Sequence, residues 1–522
     1  MINRGFVEAP RSRKPDSGQI LILALLASFA AVTIHYVGAS YLTADEATFF
    51  SSIEAHSWRA AYTAAREHPH PPLWPLLLHA VGKLGTSELA LRLPAVLGSV
   101  FGIWFTFRWL MLLAGESAAI CGAGFLLGST AMLSMATETR PYPALYFFES
   151  AALWAAEIVL RSGSRRALAG LTLALVGSML SHFSTIFVAV ALAVRLGPPL
   201  LRSPRFKPLR TAWLGGQVVI AAVGLWGFFV HDRLFTGAML EESGKALWWV
   251  QGGYWQDGPL WQFLLKVPTR VFRYFTGSTP VAYLSLGLFA LGVWRLHRDE
   301  PETGESQRWA VDALLLLPFG LCLTMAAAGL YPAGATRHVT YLLPFAAAGI
   351  GAGAAWLFGE RKAFVFAAAI LLTTGNLAGN RPANDPRLYS PEDLRQALAY
   401  LDANVPRGRI LLTDGQSVPA FRYYLRDRER SVRHVRMFEI DGFLFAPVEP
   451  WIWVLTPKYL QPRTGRTARQ LGYRDGDDIW VISSGWGYPG PLSRGIPARQ
   501  LLSYREFGRI RFLHMQLARR EK

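Results

Sequence analysis

GQILILALLASFAAVTIHYVG, residues 18–38, and WAVDALLLLPFGLCLTMAAAGL, residues 309–330, decide the fold class. At about 1.5 Å of rise per residue either run covers roughly 30 Å, the hydrocarbon thickness of a bilayer. Working outward from these two, further apolar runs predict eleven spans, near 18–40, 89–113, 116–136, 141–160, 166–180, 183–199, 211–231, 279–296, 309–330, 340–358 and 363–379. The fifth and sixth are short, and one or both also fit a re-entrant pair shielded by protein. Residues 381–522 contain no such run. The chain is 52% hydrophobic, with 18 Trp, 31 Phe and 18 Tyr in 522 residues, yet its mean hydropathy is a modest +0.23, because the apolar residues are gathered before residue 380. The expectation is a polytopic α-helical membrane domain over 18–380, a short tail over 1–17, and a soluble α/β domain over 381–522 large enough to bury a core.

Basic residues set the orientation. They cluster at Arg11 to Lys14, Arg161 to Arg166, Arg202 to Arg210, Arg295 to Arg298 and Arg361-Lys362, and all five clusters fall on one side if eleven spans are counted. That side is expected to be cytoplasmic. Loops 41–88 and 232–278 and the C-terminal domain then face outward, which in a bacterial inner membrane is the periplasm. The first apolar run lacks a small-residue cleavage site and is expected to stay as an anchor. The net charge of +17 is the ordinary orienting charge of a membrane protein, with anionic lipid as its partner, and does not point to nucleic acid. Cys121 and Cys322 both fall inside spans, so no disulfide framework is expected.

Titratable groups concentrate in the outward segments. Asp45 and Glu46 follow the first span, and Glu67-His68-Pro69-His70-Pro71-Pro72 lies further along the same loop. Carboxylates at the mouth of a bundle are solvated, metal-bound or used. The i, i+2 histidines His68 and His70 in an extended, proline-bounded stretch allow a divalent metal or a phosphate contact. The turn Thr137-Glu138-Thr139-Arg140-Pro141-Tyr142-Pro143 holds an acid, a base and a phenol between two spans, and an arginine there suits bidentate phosphate binding as well as a plain ion pair. A third outward turn carries Arg337 and His338. Loop 232–278 is aromatic and cationic, with Trp248, Trp249, Trp255, Arg273 and Tyr274; it fits a sugar-stacking surface or an interfacial aromatic belt. Inside the spans charge is scarce, Glu149, Glu157 and the adjoining His182 being the exceptions. A proton-coupled flippase or transporter would place its titratable groups at mid-depth and often shows related halves, whereas here they gather at one face. An outer-face receptor or scaffold is the third class, and it would tolerate loss of Asp45. No GxGxxG or GxxxxGK run is present to bind a nucleotide.

Asp45-Glu46, HPHPPLWPLLLHAVGKLGTSELALRLPAVLGSVFG over 68–102, TETRPYPALYFF over 137–148 and RHVTYLLPF over 337–345 together resemble the bacterial branch of glycosyltransferase family 39. That family contains protein O-mannosyltransferases and lipid A aminoarabinose transferases with the GT-C membrane fold. The resemblance covers roughly residues 18–380. It implies a sugar transferase that draws on a polyprenyl-phosphate-linked donor, without a nucleotide, and acts on a glycolipid, glycan or protein acceptor at the outer face. It also implies that Asp45 is the acceptor base or orienting acid, with Glu46 as its acidic neighbour. The donor phosphate would fall to His70, Arg140, Arg337 and Tyr142, or to a divalent ion (Mg, Mn or Zn) held by His68, His70 and Glu46; Glu138, Trp255, Arg273 and His338 would line the substrate. Thr48-Phe49 after the acidic pair and Pro69-His70 before Pro71 depart from the lipid A enzymes.

In the C-terminal domain, Ser390-Pro391-Glu392-Asp393 predicts the start of a helix over 391–405. Strands are expected at 409–413, 451–455 and 480–482 and a helix at 418–425, giving a small, mostly parallel sheet. The domain is expected to dock the acceptor or act as a lid.

Overall fold

The computed structural model describes residues 17–66, 70–231, 253–255, 258–299, 305–359, parts of 364–373, 387–405, and the C-terminal segments 410–414, 418–425, 438–440, 443–448, 451–456, 474, 476–484 and 501–516. His68, the first and last basic clusters, and most of the expected eleventh span lie outside them.

Residues 1–34, 69–74 and 93–382 form one compact unit, and residues 35–68, 75–92 and 383–522 a second. Among the described residues, eight helices are long and apolar enough to cross a membrane: Gly18–Gly38, Glu88–Leu113, Tyr142–Ser162, Thr185–Arg202, Pro204–His231, Thr279–Arg298, Trp309–Ala327 and Arg337–Phe358. A ninth arises if the bent pair Glu116–Gly128 and Thr130–Thr137 counts as one span. Among the described residues this gives eight or nine of the expected eleven spans, most of the eleventh lying outside them. The expected fifth span is a helix of 15 residues, Arg165–Met179, about 22 Å long and short of the hydrocarbon thickness. The preceding helix ends at Gly163, in the left-handed region at φ 65°, and Ser164 caps the new one by accepting from Ala167 N at 3.2 Å. The short helix runs back beside its predecessor, and the buried turn 181–184 completes the return: the His182 ring lies 5.2 Å from that of Tyr142.

Large apolar side chains on the outside of these helices, including Leu173, Val218, Leu225, Phe229 and Leu284, are exposed, as lipid-facing positions are. Small residues let the interior close. A Cβ on Gly292 would stand 1.8 Å from the Gly349 carbonyl oxygen, one on Gly353 2.1 Å from that of Leu288, and one on Gly351 2.3 Å from that of Ala118. The run LPFAAAGIGAGAAWLF, Leu343–Phe358, therefore packs backbone to backbone against two neighbours, the small-residue mode of helix association in lipid.

The second unit contains a seven-stranded sheet. Its strands are β1 Ile410–Asp414, β2 Phe438–Ile440, β3 Phe443–Val448, β4 Trp451–Thr456, β5 Asp478–Ser483, β6 Leu501–Phe507 and β7 Ile510–Gln516. The order is β2-β3-β4-β1-β5-β7-β6. β1 is parallel to β4 and β5, while the other four pairings are antiparallel, so the sheet is mixed rather than mostly parallel. The hairpin strands β6 and β7 were not foreseen. The helix Pro391–Asn404 forms as expected, with Ser390 accepting from Glu392 N, and buries Leu394, Ala397 and Leu401 in a core with Trp480, Ile482, Phe512 and Tyr41.

Tyr41 belongs to the segment that carries Asp45. Glu46 is buried, and its two carboxylate oxygens each accept from Arg92, at 2.8 Å from Nε and 2.8 Å from Nη2. Arg92 also donates to the carbonyls of Val37, Ser40 and Tyr41 at 2.9–3.0 Å. Thr43 and Glu46 close a capping box around the short helix Ala44–Ala47. Removing one partner leaves a buried charge uncompensated, a cost of about 3–5 kcal/mol. Arg92→Met is accordingly expected to lower the yield and melting temperature of purified protein sharply, and a variant as stable as wild type would rule out this framework role.

Candidate active site

In the first unit, four separate stretches bring polar side chains to one end of the helices. At Ser129 the chain bends by 59° between two helices. Ser129 caps the second helix and donates to the Phe275 carbonyl at 2.8 Å, and this directs Thr130–Thr137 toward the turn 138–141. Arg140 N donates to the Glu138 carbonyl at 2.9 Å, and Pro141 and Pro143 start the next helix, where proline costs no hydrogen bond. Glu138, Arg140 and Tyr142 thus leave one tight, rigid turn.

The second stretch is His70 to Pro72. Leu73 N donates to the Leu180 carbonyl at 3.0 Å, and the His231 ring donates from Nε2 to the His70 carbonyl at 3.2 Å. The third is the turn after Met179. The fourth is the 3-10 segment Arg337–Leu342, held by the Tyr331 hydroxyl donating to the His338 carbonyl at 2.7 Å.

Their side chains converge. The His70 ring is 6.3 Å from Tyr142 and 5.8 Å from His182, and the Tyr142 ring is 6.3 Å from His338. Arg337 forms an ion pair with Glu138 at 3.9 Å and hydrogen-bonds the Tyr142 phenol. Arg140 is 5% exposed; burial first, and then the charge of Arg337, hold its guanidinium well below the ordinary arginine range. Among the described residues of this cluster two guanidiniums stand with one carboxylate, an arrangement suited to a phosphate.

The His182 imidazole is supplied neutral. Burial, and secondarily Arg337, lower His182 to about 4. Its Nδ1 accepts from Ser184 N at 3.2 Å, so the ring proton sits on Nε2, and the Ser184 hydroxyl lies 2.9 Å from the same nitrogen. Tyr274 lies on the helix Leu260–Thr276; its phenol is raised by burial and then by Glu138, so it remains a neutral donor. The sign of the pH effect follows. His182 in the unfolded chain titrates near 6.5 and in the folded chain near 4, so the unfolded state binds the extra proton between those values and stability falls as pH drops through that window. The full effect is on the order of 3 kcal/mol. Thermal melting from pH 7 to 4 should show this loss, and His182→Gln should flatten it; an identical slope in the variant would exclude His182 as its source.

Of the residues singled out in the sequence, His70, Glu138, Arg140, Tyr142, Arg337 and His338 meet here. His182 and Tyr331 join them and were not foreseen as members; the polar run Ser181-His182-Phe183-Ser184-Thr185 between two apolar helices was the available signal. Trp255 and Arg273 belong to the same unit and are exposed, the Trp255 ring nitrogen donating to the Gly258 carbonyl at 3.1 Å. Asp45 is half-buried on the helix Ala44–Ala47 in the second unit, and its carbonyl accepts from the Thr48 hydroxyl at 2.8 Å. Of the metal set expected at His68, His70 and Glu46, His68 lies outside the described residues, and both Glu46 oxygens are taken up by Arg92 and Thr43, which leaves Glu46 poorly suited to hold a metal.

The chain is similar in structure to ArnT from Cupriavidus metallidurans in the apo state, with a TM-score of 0.55 at 12% identity over 96% of this chain and 98% of that one. The same protein bound to undecaprenyl phosphate gives 0.53 at 12% identity, over 95% and 97%. The chain has the GT-C fold. The family model described as dolichyl-phosphate-mannose-protein mannosyltransferase matches residues 69–226, the part of this GT-C chain that carries His70, Arg140, Tyr142 and His182. No curated protein matches the sequence.

Proposed function

We propose that this GT-C protein is an inverting glycosyltransferase that moves a sugar from a polyprenyl-phosphate-linked donor to an acceptor at the outer face of the bacterial inner membrane. The observation that carries the reading is the buried Arg140 and the half-buried Arg337, beside the neutral His182 imidazole and the Tyr142 phenol, at one end of the membrane helices. A sugar on a phosphate already has a good leaving group. The protein must orient the acceptor, take its proton and neutralise the departing phosphate. Arg140 and Arg337 supply the last, by direct charge-assisted hydrogen bonds, and the His182 Nε2–H and the Tyr142 hydroxyl are donors suited to the remaining phosphate oxygens. Asp45 takes the acceptor's proton; this assignment rests on the family resemblance alone. Attack from the face opposite the phosphate inverts the anomeric carbon, because no second carboxylate acts as nucleophile.

The resemblance to glycosyltransferase family 39 and the partial match to the mannosyltransferase model support the class, as does the undecaprenyl phosphate bound to the ArnT of similar fold. The acceptor is a glycolipid, a lipid-linked glycan or protein Ser/Thr, the last making this a protein O-mannosyltransferase. Mass spectrometry of total lipids, envelope glycans and envelope proteins from cells with and without the gene tests the proposal. The expected result is loss of one glycosyl substituent together with accumulation of its polyprenyl-phosphate precursor. Identical lipid, glycan and protein profiles would overturn it and favour a transporter, whose dependence on a mid-span acid Glu149→Gln would then reveal.

A further inference from the structure

The opposite end of the same helices carries a second charged site. The helix Tyr142–Ser162 leaves the phosphate-complementary cluster at Tyr142 and carries Arg161 in its last turn, where it lines a cavity of about 1200 Å³. Arg195, Arg202, Arg205 and Arg295 line it too, with Glu116 and Glu157 as its acids. Three of the five basic clusters that orient the chain therefore converge on one concave surface. Among the described residues that line it, five are arginines and two are glutamates.

The contacts of two of these arginines leave their charge in place, because Arg161 and Arg205 each bond a backbone carbonyl. Arg161 donates to the Leu112 carbonyl and Arg205 to the Arg161 carbonyl. Both acceptors are neutral, and they set the direction of a guanidinium without cancelling its charge. Arg195 is 8% exposed and pairs with Glu157 at 3.5 Å, so the deep wall is balanced, while Arg202 and Arg205 are exposed nearer the mouth. The helices Glu88–Leu113, Tyr142–Ser162 and Thr185–Arg202 also end here, so the cations complement the negative ends of helix dipoles. Orientation alone does not require a cavity: positive-inside residues serve that purpose on a convex loop. Basic pockets between membrane helices on the cytoplasmic side are the form that recognises anionic head groups.

We infer that this cavity binds the phosphate-bearing head group of an anionic lipid of the inner leaflet, with Arg161, Arg202, Arg205 and Arg295 as its phosphate contacts. The head group clamps the ends of helices that begin at the donor-phosphate cluster, which makes it a structural ligand of the bundle and no participant in sugar transfer. The inference stands on the cavity and its charge, and holds whatever reaction the other end performs.

The test is native mass spectrometry of the detergent-purified full chain, titrated with cardiolipin, phosphatidylglycerol and phosphatidylcholine, with inorganic pyrophosphate as competitor. Wild type should retain cardiolipin at least tenfold better than phosphatidylcholine. The double variant R161Q/R295Q should lose about tenfold in that retention, the effect of removing a charge-assisted contact. R202Q/R205Q alters exposed side chains only, keeps the test valid if the first variant folds poorly, and should shift retention in the same direction. Displacement by pyrophosphate would assign the affinity to the phosphates alone; arginine-dependent retention that pyrophosphate does not displace would assign it to head group and chains together. Equal retention of cardiolipin by wild type and both variants, or equal retention of phosphatidylcholine, would overturn the inference.

Discussion

Arg140→Ala is expected to lower kcat/KM for the polyprenyl-phosphate donor by about 10²–10³, the usual consequence of removing a buried donor that meets developing charge. Burial and the neighbouring Arg337 both oppose the charge on Arg140, and an anion between the two guanidiniums offsets both costs. The loss should fall on donor use, with the KM for acceptor little changed. Arg140→Lys should recover part of the rate, because it restores charge but not the two-pronged geometry. Steady-state kinetics in proteoliposomes, varying donor and acceptor separately, make the distinction. Unchanged donor kinetics in Arg140→Ala would remove this residue from the phosphate site.

Asp45→Asn should reduce turnover by about 10²–10⁴, the range for loss of a positioned general base, while the amount of folded protein stays close to wild type. The fold is expected to tolerate the change because the short helix Ala44–Ala47 is held by its neighbours. Thr43 caps it, and Glu46 anchors it to Arg92. A rate profile against pH should lose its acidic limb in the variant. Abundant product from Asp45→Asn protein would end the proposed role.

The burial of Glu46 against Arg92 shows where reading residues in order stops. Both acids stood out in the sequence, and both were expected to act in the chemistry. The buried pair between Glu46 and Arg92 joins residues 46 positions apart, and no periodicity reveals such a contact. Most membrane helices were legible because length and hydropathy are local properties. The helix Arg165–Met179 was legible as a short run that need not cross, but the bend at Ser129 was not, since a broken helix is tolerated only where neighbouring helices shield its ends. The C-terminal helix 391–404 was legible from its cap. The order of the strands was not, because β6 and β7 are amphipathic strands with polar residues at every second or third position, and hairpin pairing depends on partners distant in sequence from β5. At the candidate site, the acid–base turn 138–142 and the pair Arg337-His338 were conspicuous as polar breaks between apolar runs. His182 was visible as an anomaly, but only folding places its ring beside His70 and Tyr142.

Release of polyprenyl phosphate is the most direct measure of the proposed chemistry. Purified protein is reconstituted with the polyprenyl-phosphate sugars of its own source cell, the envelope acceptor fraction is added, and free polyprenyl phosphate and glycosylated product are quantified together. The expected result is one phosphate lipid released for each sugar transferred, with inversion at the anomeric carbon and release strongly reduced in Arg140→Ala. A donor that stays intact alike with wild type, with Arg140→Ala and with no protein would contradict sugar transfer from a polyprenyl phosphate.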